Sequence, residues 1–267
     1  MSCGYIKYLV YIFGVLLLSL PVLAQDYSKD IEDGKHGDYE AALEHFHSLA
    51  EQGNADAQFR LGDMYRFGIL KDNSQAVDWY RKAAEQGHPE AQNNLGASYF
   101  RGEGVSQNYS QAVKWYRKAA EQGDVYAQNS LAYMYISGLG VSKNYPRGVK
   151  WFMKAADQGD AHAQVNLAFL YNSGRGVKQS YSKGAKWFKK AAKQGHAEAQ
   201  FNLGTMHVDG IGVERNLIQG AMWFNLAAAH GASGADDALA ILSNHMTSSQ
   251  FAEAHNLALE WLRQHKE

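Results

Sequence analysis

Between residues 38 and 231 the apolar and small residues recur three and four positions apart rather than in alternation, which predicts helices and no strands. Two kinds of stretch take turns. One, such as Tyr109 to Gln122, places Ala112, Trp115, Tyr116, Ala119 and Ala120 on a single face and can be called a tryptophan helix. The other, such as Val125 to Ser137, does the same with Ala127, Leu131, Ala132 and Tyr135 and can be called a leucine helix.

The alternation is periodic. Trp79, Trp115, Trp151, Trp187 and Trp223 stand 36 residues apart, and Gly87, Gly123, Gly159, Gly195 and Gly231 keep the same interval. Ala91, Gln92 and Leu95 recur in step as Ala127, Gln128 and Leu131, then Ala163, Gln164 and Leu167, then Ala199, Gln200 and Leu203. Such a period marks an array of stacked units that share one continuous core, because a lone helix pair cannot bury its own apolar face. The five tryptophans are the expected structural positions, an indole removing on the order of 200 Å² from water when buried. Gly53, Ala57, Gln58 and Leu61 carry the same marks in a worn first unit whose loop after Gly68 is two residues shorter.

Helix ends are written locally as well. Asp38, Asp72, Asn108, Asn144, Ser180 and Asn216 precede the tryptophan helices as N-cap types, with Gln75, Gln111 and Gln219 three residues on, as a capping box prefers. Gly102, Gly138, Gly174 and Gly210 are expected to close the leucine helices in a left-handed conformation. After Gly231 the period breaks. Residues 232–267 are expected to form capping helices, with Phe251, Ala254, Leu257, Ala258, Trp261 and Leu262 on one face to cover the last core surface.

At the other end, Lys7 precedes an apolar run from Tyr8 to Leu20, and Pro21-Val22-Leu23-Ala24 follows it. This is the layout of a signal peptide of residues 1–24, cut between Ala24 and Gln25, with 25–37 as a linker to the array at 38–231. The run is short for a bilayer span, which takes roughly 20 residues, although a retained anchor is the alternative. The expectation is therefore export without stable membrane insertion. Cys3, the one cysteine, lies in the removed segment, so the mature chain forms no disulfide of its own. Loss of Lys7 leaves 25 cations against 27 anions. That balance excludes nucleic acid as the main partner.

The string from Tyr109 to Gly123, followed by Ala127-Gln128, Leu131 and Gly138-Leu139-Gly140-Val141, resembles the Sel-one-like repeat, and the resemblance runs from about Asp38 to Gly231 with about five full units. It implies an all-α fold, an α/α superhelical solenoid of the tetratricopeptide kind. It also implies a role in protein–protein recognition, signalling or secretion-related assembly, and no shared catalytic residues.

Candidate chemistry is sparse. Ser180-Tyr181-Ser182-Lys183 has the serine–lysine spacing of penicillin-binding enzymes, but Ser180 is in register with the other cap residues and the companion segments are missing. Gly102-Glu103-Gly104 has the look of a phosphate loop yet follows a helix rather than a strand, so it reads as a turn. None of the eleven histidines forms a His-x-x-x-His pair; His45 and His47 point apart, and His88 and His196 follow turn glycines as caps or solvent-facing groups. No metal, cofactor or catalytic residue is expected. Lys82, Lys118, Lys154 and Lys190 repeat late in the tryptophan helices, either as a solvated face favoured by the helix dipole or as an adhesive surface for lipid headgroups or polysaccharide.

Function should reside where units differ. By analogy with tetratricopeptide arrays, the leucine helices line the concave side and expose the positions two before, two after and five after their leucine. These give Phe59, Asp63 and Arg66; Asn93, Ala97 and Phe100; Asn129, Tyr133 and Ile136; Val165, Phe169 and Asn172; and Phe201, Thr205 and Val208, with Tyr126 one turn earlier. The expected groove is Phe59, Asn93, Phe100, Tyr126, Asn129, Tyr133, Phe169, Asn172 and Phe201, aromatic anchors among amides. The resulting expectation is a monomeric, periplasmic or secreted scaffold of a bacterial envelope that holds a protein or peptide. The alternatives are a cell-wall or β-lactam amide hydrolase and an envelope-adhesion module.

Overall fold

The computed structural model describes residues 36–68 and 71–265, so the expectations for Tyr8–Leu20 and for the Ala24–Gln25 cut lie outside the described residues. Within them are thirteen helices and no strand. A leading helix α1 (His36–Glu51) is followed by five pairs. These are α2 (Ala55–Phe67) with α3 (Asn73–Glu85), α4 (Pro89–Arg101) with α5 (Tyr109–Glu121), α6 (Val125–Ser137) with α7 (Tyr145–Asp157), α8 (Ala161–Ser173) with α9 (Tyr181–Lys193), and α10 (Ala197–Asp209) with α11 (Leu217–Ala229). Two helices, α12 (Ala235–Ser243) and α13 (Ser248–Gln264), end the chain. The all-α solenoid of tandem helix pairs is as the periodicity predicted.

Local signals set the lengths. Side chains of Asp72, Asn108, Asn144, Ser180 and Asn216 each accept a backbone N–H from the first turn of the tryptophan helix that follows. Asp38 is not at a cap position, because α1 begins at His36 and carries it inside the first turn. The side-chain amide of Gln75 turns to the Asp72 carboxylate at 3.2 Å, and the reciprocal capping box forms instead at Thr247 and Gln250, where α13 starts. Gly102, Gly138, Gly174 and Gly210 close four leucine helices at φ between 69° and 75°. The second glycine of each loop has a different duty. A Cβ on Gly104 would lie 2.8 Å from the backbone nitrogen of Ser74, so this loop seats directly on the start of the preceding tryptophan helix.

The tryptophans do not occupy the centre of the pairs. That place belongs to the next residue, Tyr80, Tyr116, Phe152, Phe188 or Phe224, each at most 4% exposed. Small residues opposite make room: a Cβ on Gly96 would stand 2.8 Å from the Tyr116 ring, and one on Gly204 2.7 Å from Phe224. The indoles instead fill the seams between units. Trp115 packs into the core built by α1 to α4, and Trp151 touches the cores on both sides of it. Trp151 and Trp187 consequently remain only half-buried, whereas Trp79, Trp115 and Trp223 are covered.

A glutamine ladder runs through the same seams. Gln92 donates to Ala84 O of the preceding tryptophan helix at 3.0 Å and accepts from the Gln122 amide of the following one at 2.8 Å. Gln128 with Gln158 and Gln164 with Gln194 repeat the arrangement. Each buried amide is thus satisfied by neighbours on both sides, which fixes the register of stacking as well as its closeness. At the far end, Met222, Trp223 and Leu226 of α11 pack with Ala258, Leu257, Trp261 and Leu262 of α13, the expected capping helix.

Candidate binding face of the leucine helices

The repeated leucine of each unit is buried, so positions two residues away turn toward the rim of the core or toward solvent. What lies there differs between units. Phe59, expected in the groove, is core: it is buried, stacks on the His88 ring at 4.7 Å and lies 6.2 Å from Tyr80. Ala97 and Val165 are buried too. Asn172 points its amide oxygen at Gly184 of α9, and Ile136 and Val208 face Gly148 and Gly220 in the same way, so in these three units the position five after the leucine packs toward its own partner helix. The geometric reason is that these residues lie at the helix crossing, where the partner helix has given up its Cβ.

The remaining positions stay accessible. Asn93, Tyr126, Asn129 and Tyr133 are half-buried, and Phe100 lies 5.5 Å from Tyr109 and edge-on to Tyr133 at 6.4 Å. Phe169 is 40% exposed and held edge-on against Phe188 at 5.1 Å. Phe201 is half-buried on Phe224. The Asn129 Oδ1 atom is buried and has no hydrogen-bond partner. The structure therefore brings Phe100 and Tyr133 together, leaves Phe169 open one unit on, removes Phe59 from the face, and leaves Asn172 half-buried with its amide oxygen turned inward.

Polar groups line the same helices as well. Asp63 accepts the Tyr80 hydroxyl at 2.6 Å and the Asn94 amide at 3.3 Å. Burial pushes its carboxyl up to about 6 against those bonds and the nearby Arg60 and Arg66. A second row lies along the N-termini, where two of the caps meet the second residue of the previous leucine helix. His88 Nε2 is 3.0 Å from Asp56, and His196 Nε2 is 3.3 Å from His162 Nδ1. Burial, then the charge of Glu90, takes Asp124 up to about 6, although it accepts the Ala127 N–H. Burial, then His162, takes His196 down to about 4. Because His196 Nδ1 accepts from Ala199 N, its proton sits on Nε2 and His162 Nδ1 receives it. The signal for these pairs was a separation of 34, one period less the two residues from cap to second position, or 32 for His88 and Asp56 across the shorter first loop.

The serine–lysine pair is not assembled as a nucleophile. Ser180 Oγ accepts the Lys183 backbone N–H at 3.3 Å, while the Lys183 ammonium lies 5.4 Å over the Tyr171 ring. Glu103, between the two loop glycines, pairs with Arg66 at 3.1 Å and Arg101 at 2.9 Å. Among the described residues no three His, Cys, Asp or Glu side chains converge as a metal site would need, and no helix is long and apolar enough to cross a membrane.

Comparison with known proteins places this geometry. The Sel1 repeat matches six times, at residues 27–54, 55–88, 89–124, 125–160, 161–196 and 197–231. A Sel1 repeat protein of Oxalobacter formigenes is similar at 34% identity and TM-score 0.74, over 88% of this chain and 98% of its own. A protective antigen of uropathogenic Escherichia coli strains, displaying the same fold, is similar at 33% identity and TM-score 0.75 over 90% of this chain. The chain spans 55% of that antigen's length. An immunity protein of Pseudomonas aeruginosa shares the fold at 23% identity and TM-score 0.50, over 80% of this chain and 84% of its own. No curated protein matches. Its repeats, their register and these structural likenesses together show that the chain belongs to the Sel1 repeat family.

Proposed function

We propose that this repeat scaffold is exported and holds a protein or peptide against its leucine helices, around Phe100, Tyr133 and Phe169. The observation that carries the reading is Phe169, an aromatic left open to solvent on a face otherwise built to bury aromatics, and held rigid by Phe188. A fixed aromatic costs little entropy to dock and suits an interface anchor. A catalytic role is not supported, since Lys183 lies over Tyr171 rather than at a nucleophile.

A photo-crosslinking side chain at Asn93, in cells of the source, should capture a discrete partner. Its adduct should fade in Phe169→Ala and Tyr133→Ala, each losing about thirtyfold in affinity for that partner with an unchanged melt. Loss of the adduct only in step with loss of fold would show these aromatics to be core. For export, the intact mass of the protein recovered outside the cytoplasm should begin at Gln25, and retention of Cys3 would instead indicate an anchor.

A further inference from the structure

Charge is unevenly spread along a chain whose net charge is only −1: residues 145–193 hold ten cations and two carboxylates, whereas 197–267 hold three cations and eight. The excess is on one surface. The exposed side of α9 is Lys183, Lys186, Lys189, Lys190 and Lys193 behind Tyr181, with no acid among them, and α7 beside it exposes Arg147, Lys150 and Lys154 against Asp157. None of these cations forms an ion pair with a described residue. A solvated helix face does not require this: the equivalent α3 balances Arg81 with Asp78 at 2.7 Å and Lys82 with Glu85 nearby in sequence. Lysines three and four apart repel one another, so α9 carries an electrostatic load that an opposite charge would relieve.

The apolar character of the surface changes in the same two units. Trp151 and Trp187 are the half-open indoles, with Lys154 at 4.4 Å and Lys190 at 4.0 Å over their rings. Met153 is 37% exposed and Tyr181 45%. Lysines interleaved with indole, phenol and thioether are the composition of a surface resting at the boundary between headgroups and acyl chains, where the cations meet lipid phosphate and the amphipathic rings meet the interface. A nucleic acid or an acidic peptide would answer the lysines but leave Met153 unused. At the next unit the cationic row stops, with Leu226 buried under the capping helix where Lys190 stood one period earlier.

We propose that the face formed by α7 and α9 is a peripheral contact site for an anionic lipid surface, leaving the leucine helices free for their partner. The test is co-sedimentation of the full exported chain with vesicles of phosphatidylglycerol and phosphatidylcholine, or of phosphatidylcholine alone. Binding is expected to the mixed vesicles only and to collapse when the Debye length shrinks to about 3 Å at 1 M salt. Lys186→Gln, Lys189→Gln and Lys193→Gln combined should lose about a hundredfold in affinity, each lysine near such a surface being worth roughly fivefold. The melt should not change. Arg81→Gln with Lys82→Gln on α3 should bind as wild type, and Met153→Ser with Tyr181→Ser should weaken binding while keeping its salt dependence. Equal binding to neutral vesicles, an equal loss in the α3 variant, or indifference to Met153 and Tyr181 alongside tighter binding to soluble polyphosphate would each overturn the assignment.

Discussion

His230 Nδ1 lies 2.8 Å from Gln200 Oε1, the place where each of the four preceding seams puts a glutamine amide, from Gln86, Gln122, Gln158 or Gln194. Gln200 gives its own amide to Ala192 O, so its oxygen is the acceptor and the imidazole proton sits on Nδ1. The His230 ring meets Trp261 of the capping helix edge-on at 6.1 Å. A residue that ends the glutamine ladder therefore also begins the cap.

Cutting the ladder should weaken the array in the middle. Gln128→Leu removes the acceptor of the Gln158 amide and the donor to Ala120 O, a loss of about 2 to 3 kcal/mol for buried polar groups left short of partners. Because units communicate only with their neighbours, chemical denaturation should broaden or split into two steps. His230→Gln restores the residue of the earlier units and should stay within about 0.5 kcal/mol of wild type. A single sharp transition of unchanged midpoint in Gln128→Leu would show that the ladder is ornamental.

The aromatic after each tryptophan should matter more than the tryptophan. Tyr116→Ala empties the centre of a pair at a residue 1% exposed and should cost about 3 to 5 kcal/mol. Trp151→Ala, at a half-open seam, should cost about half as much. Gly96→Ala pushes a Cβ into the Tyr116 ring and should cost about 1 to 3 kcal/mol despite the better helix propensity of alanine. Urea midpoints of the three variants check the order.

Two caps should give opposite pH dependence. Asp124 binds its proton more tightly in the folded chain, so its contribution is present below the unfolded carboxylate value and is lost as pH rises through about 6. His196, pushed down to about 4, contributes stability that is present above the unfolded imidazole value and is lost as pH falls through the folded one. Asp124→Asn keeps a cap without the charge, so it should gain on the order of 1 to 2 kcal/mol over wild type at about pH 7.5 relative to their difference at about pH 4. Melts at the two pH values measure this, and an unchanged difference would show that Asp124 is well solvated.

Ser180 should behave as a cap. Ser180→Asn is expected to leave both melt and partner binding as they are, while Ser180→Ala costs about 1 kcal/mol through the lost bond to Lys183 N. Nitrocefin turnover by the wild type, abolished in a folded Ser180→Asn, would put an amide hydrolase in place of the scaffold.

By itself the sequence determined the helices, their pairing and their period. Those follow from short-range physics: caps such as Asn108, left-handed glycines such as Gly138 and an apolar stripe every three or four residues are each complete within one turn or one unit. It did not determine which positions of a repeated stripe face outward. Phe59 and Phe201 occupy the same register, two residues before their leucine, yet one is buried beneath His88 and the other stays half-open. Trp115 and Trp151 are equivalent in the repeat, and only one is covered. Tertiary structure decided these because burial at a seam is a property of the neighbouring unit, whose side chains, from His88 to Gly184, differ from copy to copy while the helix that carries the residue does not.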